Sequence, residues 1–156
     1  MRSPEARSPE GDALTALVMP VFEANGEFLA AAKEIAEPAG LTPAQWQVLG
    51  ATLDTALPVA EIARRVGLGL ARQSVQRTAD ILVEAGWAEY VPNPSHRRAK
   101  LLQPTEQGRA TVAKLRDRQH AWANAVGKAV GVEDLSRAVE LLKAAVAASR
   151  EYRQNA

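Results

Sequence analysis

The sequence predicts a mainly α-helical protein with a small β-hairpin wing: a winged helix-turn-helix flanked by N- and C-terminal dimerisation helices. Three observations predict it. Residues 57–85 carry two amphipathic helical patterns separated by Gly67-Leu68-Gly69. Two short β-prone runs follow, on either side of a turn rich in proline and arginine. Long apolar stripes at helical spacing occupy 12–37 and 105–153, and a compact block of this size cannot bury them by itself.

Met1 to Gly11 repeats Arg-Ser-Pro-Glu-like units without apolar content and reads as a disordered tail, with Arg2 and Arg7 its basic groups. From Asp12 to Glu37, Leu14, Leu17, Val18, Val21, Phe28, Leu29, Ala32 and Ile35 hold helical spacing, and Pro20 is expected to kink or divide the helix. Leu41 to Leu53 has a well-punctuated start. Thr42 is an N-cap, Pro43 suits the first helical position, and Gln45 completes a capping box. Trp46, Leu49 and Leu53 are expected to point inward; Trp46 is a core residue or, in the other reading, a wall of a ligand pocket.

Residues 57–67, LPVAEIARRVG, hold the next helix, with Val59, Ile62, Ala63 and Val66 at helical spacing and Gly67 able to cap it. Ala71 to Ala85 is the helix expected to read DNA. Ala71, Val75, Thr78, Ala79, Leu82 and Ala85 fall on one side; Gln73, Gln76, Arg77, Asp80 and Glu84 fall on the other, with Arg72 at the flank. Its polar face is graded. Arg72, Gln73, Ser74, Gln76 and Arg77 fill the first half, and the carboxylates follow. A helix that enters the major groove by its N-terminal end needs that order, because acids there would meet phosphates. Arginine and glutamine also make bidentate contacts to guanine and adenine edges.

Gly86 caps this helix, Trp87 to Val91 is β-prone, and Pro92 to Arg98 makes the turn before Ala99 to Gln103 returns as a second strand. His96, Arg97, Arg98 and Lys100 make the hairpin basic at its tip, placed to lie along phosphates or in a narrow minor groove. Thr105 caps a long helix to about Val130 whose stripe is Val112, Leu115, Gln119, Trp122, Val126 and Ala129. Gly131 breaks it. A last helix from about Glu133 carries Leu135, Ala138, Val139, Leu142, Ala145 and Val146 on one face. The economical burial for Leu14, Leu17, Val18, Val126, Leu135, Val139, Leu142 and Val146 is a two-fold dimer of the terminal helices.

Residues 70–87, LARQSVQRTADILVEAGW, followed by 93–108, NPSHRRAKLLQPTEQG, resemble the MarR-type (multiple antibiotic resistance regulator) transcription factors. That family's wing reads Asp-x-Arg, five residues, Leu-Thr, and a glycine three residues further on. Arg98, Thr105 and Gly108 match; His96 stands where the aspartate is usual and Pro104 where the leucine is usual. The aspartate commonly braces the wing arginine, so the resemblance implies a less restrained Arg98 here. It also implies a homodimer on a pseudo-palindromic operator, acting as a repressor released by a small, partly apolar ligand bound near the junction of the dimerisation helices and the winged region.

Composition narrows the remaining classes. The chain has 156 residues, 47% apolar, with a formal net charge of +1, so basicity is a local property of residues 64–100 rather than of the whole. Cysteine is absent, which excludes disulfides and thiolate redox sensing. No apolar run approaches a membrane span and no signal-peptide core is present, so a cytoplasmic protein without membrane partners is expected. The two histidines, His96 and His120, have no partner at metal-ligand spacing, and no nucleophile–base or phosphate-loop pattern occurs. The expectation is therefore no metal, no cofactor and no enzyme. Two rivals stay open: a winged helix used for protein–protein assembly, and a small-molecule binding protein with vestigial DNA contacts.

Overall fold

The computed structural model describes residues 6–66 and 72–155. The expected Gly67-Leu68-Gly69 turn, the Gly67 cap, the Ala71 helix start and Arg2 lie outside the described residues. Contacts divide the chain into two compact units, residues 1–115 and 116–156.

In the first unit, α1 (Pro9–Ala36) begins three residues before the expected Asp12, because the Ser8 side chain accepts the Gly11 N–H and Pro9 suits the first turn. It runs through Pro20 undivided. A proline there removes one backbone donor, and the remaining turns of a 28-residue helix hold it. A 3₁₀ turn (Glu37–Ala39) leads to α2 (Pro43–Ala51), whose capping box forms in both directions: Gln45 N–H to Thr42 Oγ1 at 3.2 Å, and Thr42 N–H to Gln45 Oε1 at 2.8 Å.

Leu57–Pro58 is a short strand, β1, and the helical spacing that begins at Val59 follows it. It pairs with the returning wing strand, Leu57 opposite Leu102, so that α3 (Val59–Val66) starts only after it. The sheet then has three antiparallel strands in the order β1-β3-β2, with β2 at Ala88–Val91 and β3 at Leu101–Pro104. Between α3 and β2, α4 (Arg72–Glu84) is closed by Gly86, whose positive φ of 78° permits a Schellman cap: Trp87 N–H to Leu82 O and Gly86 N–H to Val83 O.

The core lies where α2, α3, α4 and β3 meet. Leu49, Ile62, Val75, Leu82 and Leu102 are fully buried, and Leu115 nearly so. Val48, rather than the expected Leu53, joins Leu49 as the second deeply buried residue of α2. Trp46 is half-buried, and Ala85, expected on the inner face of α4, is exposed where the cap turns the chain away.

The wing is joined to α5 (Glu106–Ala113) by the two matched residues Thr105 and Gly108. The Thr105 hydroxyl donates to Gly86 O at 2.7 Å, and Thr105 Oγ1 accepts the Gly108 N–H at 3.1 Å. A Cβ at Gly108 would collide with the Trp87 carbonyl, so the close approach requires glycine. Arg109 Nη1 further ties α5 to Leu53 O at 2.7 Å.

The single helix expected from Thr105 to Val130 is interrupted at Lys114–Leu115. The Leu115 N–H turns to Val112 O, three residues back, and Leu115 is drawn into the core of the first unit. The second unit holds α6 (Arg116–Val130) and α7 (Val132–Asn155), separated by Gly131 and packed on each other. Neither carries a fully buried residue.

Candidate nucleic-acid interface

Helix α4 and the β2–β3 wing together carry every residue expected to touch DNA. Val75, Ala79 and Leu82 anchor the inner face of α4, which leaves Arg72, Gln73, Ser74 and Arg77 exposed on the outer face. The wing tip exposes His96, Arg97, Arg98 and Lys100.

The structure brings three of these cations together. Arg72 of α4 and Arg98 and Lys100 of the wing line one groove of about 300 Å³, floored by Pro58, Val59 and Ala60 and walled by Gln76 and Tyr90. Arg72, Gln73, Gln76 and Arg77 also border an open concavity along the outward side of α4, with Asp80 at its far end. Ser74, His96 and Arg97 line neither hollow.

Three nearby carboxylates have partners within the fold, while Glu84 is exposed at the end of α4. Glu61 takes both Arg64 and Arg65, the latter at 3.2 Å, and its hydrogen bond from Arg64 and then that from Arg65 hold its carboxyl below the ordinary value. Those two arginines, counted among the basic residues of the reading segment, are thus paired on α3. Glu89 accepts from Gln103 Nε2 at 2.8 Å across the β2–β3 register. Asp80 accepts from Tyr90 Oη at 2.6 Å and from Gln76 Nε2 at 3.0 Å. Burial, followed by the Asp80 hydrogen bond, pushes the Tyr90 phenol up to about 12.

Tyr90 is the site residue that sequence reading misses. Within the β-prone run it reads as one more strand former, and nothing in its neighbours announces that its hydroxyl reaches α4.

His96 does not brace Arg98. Its Nδ1 accepts the Ala99 N–H at 3.2 Å, and its carbonyl accepts the same donor at 3.2 Å, closing the hairpin tip. Among the described residues no carboxylate lies within ion-pair distance of Arg98. The histidine at this position shapes the turn instead of offering Arg98 a carboxylate.

The residues expected in a dimer interface are apolar surface. Leu14, Leu17 and Val18 of α1 are exposed, as are Val126 of α6 and Leu135, Val139, Leu142 and Val146 of α7. Among the described residues no cluster of metal-ligating side chains occurs, and no helix is long and apolar enough to cross a membrane.

Comparison with known proteins agrees with this architecture. A model described as the MarR family matches residues 39–99. An uncharacterized protein of Mycobacterium tuberculosis is 37% identical over 142 residues, covering 91% of this chain and 98% of its own. Among solved structures, a mutant MarR from E. coli complexed with operator DNA superposes with a TM-score of 0.71 at 23% identity, covering 87% of this chain and 97% of its own. CouR from Rhodococcus jostii RHA1, bound to p-coumaroyl-CoA, gives 0.72 at 22% identity, covering 81% and 89%.

Proposed function

The chain belongs to the MarR family of transcription regulators, and from that premise we propose that it is a homodimeric, sequence-specific DNA-binding repressor released by a small, partly apolar ligand. The observation that carries the DNA reading is the groove where Arg72, Arg98 and Lys100 converge from two elements while Asp80, Glu61 and Glu89 are tied to internal partners. The groove gathers three cations and is lined by no carboxylate, which is the electrostatic condition for phosphate contact.

In this reading α4 enters the major groove by its N-terminal half, with Gln73 and Gln76 toward base edges and Arg77 on a base or phosphate. Arg72, Arg97, Arg98 and Lys100 clamp the backbone, with Ser74 and His96 as secondary polar contacts. Support for the dimer is the apolar surface of the terminal helices, which water disfavours and a second copy would cover. Support for a ligand is the likeness in fold to CouR, solved bound to p-coumaroyl-CoA, and the half-buried Trp46 is the aromatic proposed to wall a pocket here. A ligand releases DNA only by favouring a dimer whose two α4 helices are wrongly spaced.

The test is mobility shift with the DNA upstream of the protein's own gene, at two salt concentrations, beside sedimentation of the free protein. Sequence-selective retention by a dimer, weakening steeply with salt, is expected. Salt-insensitive or sequence-indifferent binding would overturn the reading in favour of a protein-binding module.

A further inference from the structure

We propose that the Tyr90 hydroxyl, reaching α4 from the wing strand β2, holds the Asp80 carboxylate off Arg77 and so leaves Arg77 free to bind DNA. The proposal rests on α4 being the DNA-reading helix. It deepens that reading by assigning Tyr90 as a positioning residue that acts on Arg77 through Asp80.

Arg77 has one acid within a helical turn of it. Residues 73–81 read QSVQRTADI, and their only carboxylate is that of Asp80, three positions on and, like Arg77, exposed. Opposite charges at that spacing meet on a helix surface. This chain has such pairs at Glu61 and Arg64, Asp134 and Arg137, and Glu140 and Lys143. Arg77 and Asp80 border the same concavity, yet they do not pair, and Arg77 has no other ion-pair partner among the described residues. Here the base precedes the acid, the weaker orientation of such a pair, so a competing partner suffices to prevent it.

Tyr90 is that competitor. Its Oη lies 2.6 Å from Asp80 Oδ1, and Gln76 Nε2 lies 3.0 Å from the same oxygen. A carboxylate only accepts, so the phenolic proton goes to Asp80 in a short, charge-assisted bond. The donor sits on a half-buried ring whose strand is paired, Tyr90 opposite Leu102, so little freedom is lost in making the bond. Arg77 would have to order a long exposed side chain to take its place. Burial, and then Asp80 itself, push the phenol up to about 12, so it stays a donor throughout the neutral range. A guanidinium paired with an acid must give up that partner before it meets a phosphate or a guanine edge. Arg77 meets them with no partner to lose.

The experiment measures the affinity of the full chain for the duplex upstream of its own gene, in Tyr90→Phe alone and combined with Asp80→Asn or with Arg77→Ala. Beside it stands the side-chain Nε–H NMR signal of Arg77 in the free protein. Tyr90→Phe should weaken binding by on the order of fivefold, because a modest surface ion pair must then be broken in each of two subunits. In the Asp80→Asn or Arg77→Ala background the same change should cost less than about twofold, since one member of the new pair is missing. The Arg77 Nε–H should exchange freely with water in the native protein, become protected in Tyr90→Phe, and exchange freely again when Asp80→Asn is added.

A Tyr90→Phe loss that persists in full without Arg77 or without the Asp80 charge would make Tyr90 a support of the wing and overturn the proposal. Native affinity in Tyr90→Phe would overturn it as well. Should that variant fail to fold, the loss caused by Arg77→Ala, compared in the native protein and in Asp80→Asn, decides by itself. Equal losses are expected; a larger loss in Asp80→Asn would show that Asp80 already engages Arg77. If the native protein retains no duplex, the DNA reading fails and takes this role with it. An Arg77 Nε–H protected only in Tyr90→Phe would then place the failure in that premise and not in the hold on Asp80.

Discussion

Removing the charges of Arg72, Arg98 and Lys100 together is expected to lower operator affinity by on the order of a thousand-fold at moderate salt, with little change in folding stability. The three side chains line one groove yet come from α4 and from the far side of the wing, so a single backbone segment can meet all of them. Each phosphate neutralised releases counterions, and a dimer makes each contact twice. The slope of log affinity against log salt should therefore shrink by about 5. Because Arg72, Arg98 and Lys100 are exposed, and Arg98 and Lys100 form no ion pair among the described residues, the thermal transition should barely move. Mobility shift across a salt series, beside thermal unfolding, reads both quantities. Binding that stays native-like would assign the affinity to α4 beyond its first residue and take the wing out of the interface.

Leu82→Ala should cost about 2–5 kcal/mol of folding stability, the range for emptying a fully buried leucine site. Leu82 does more than fill space. Its carbonyl accepts the Trp87 N–H in the cap that turns the chain from α4 into the wing. A cavity there loosens the seat of α4 against α2 and α3 and the start of β2 at once. Urea unfolding at fixed protein concentration should show a lower midpoint, and DNA binding should weaken in parallel although Leu82 touches no DNA. A midpoint within error of the native protein would mean that the core is not centred where α2, α3 and α4 meet.

The capping box at Thr42 and Gln45, the stop at Gly86 and the burial of Val75, Ala79 and Leu82 are all readable along the chain. Each is settled within one or two helical turns, where spacing along the chain equals spacing in space. The basic hairpin is readable for the same reason, since a turn and its flanking strands are neighbours in sequence. Absence of cysteine and the gradient of charge along α4 need no structure at all.

What only the tertiary structure decided involves residues that are far apart in the chain. Leu57 lies ahead of the helical spacing that begins at Val59 and has no strand pattern of its own; pairing with Leu102 makes it a strand, because the returning wing strand offers it an edge. Thr105 could be read as a cap; that its hydroxyl also reaches Gly86, 19 residues back, follows from the close approach of Gly108 to Trp87. The helix expected through Leu115 is interrupted there, where the core takes up that side chain. Gln76 reads as a free base-contacting amide until Tyr90, 14 residues away, is seen to hold it. In each case local propensity leaves several states within about 1 kcal/mol of each other, and a contact made through space chooses among them.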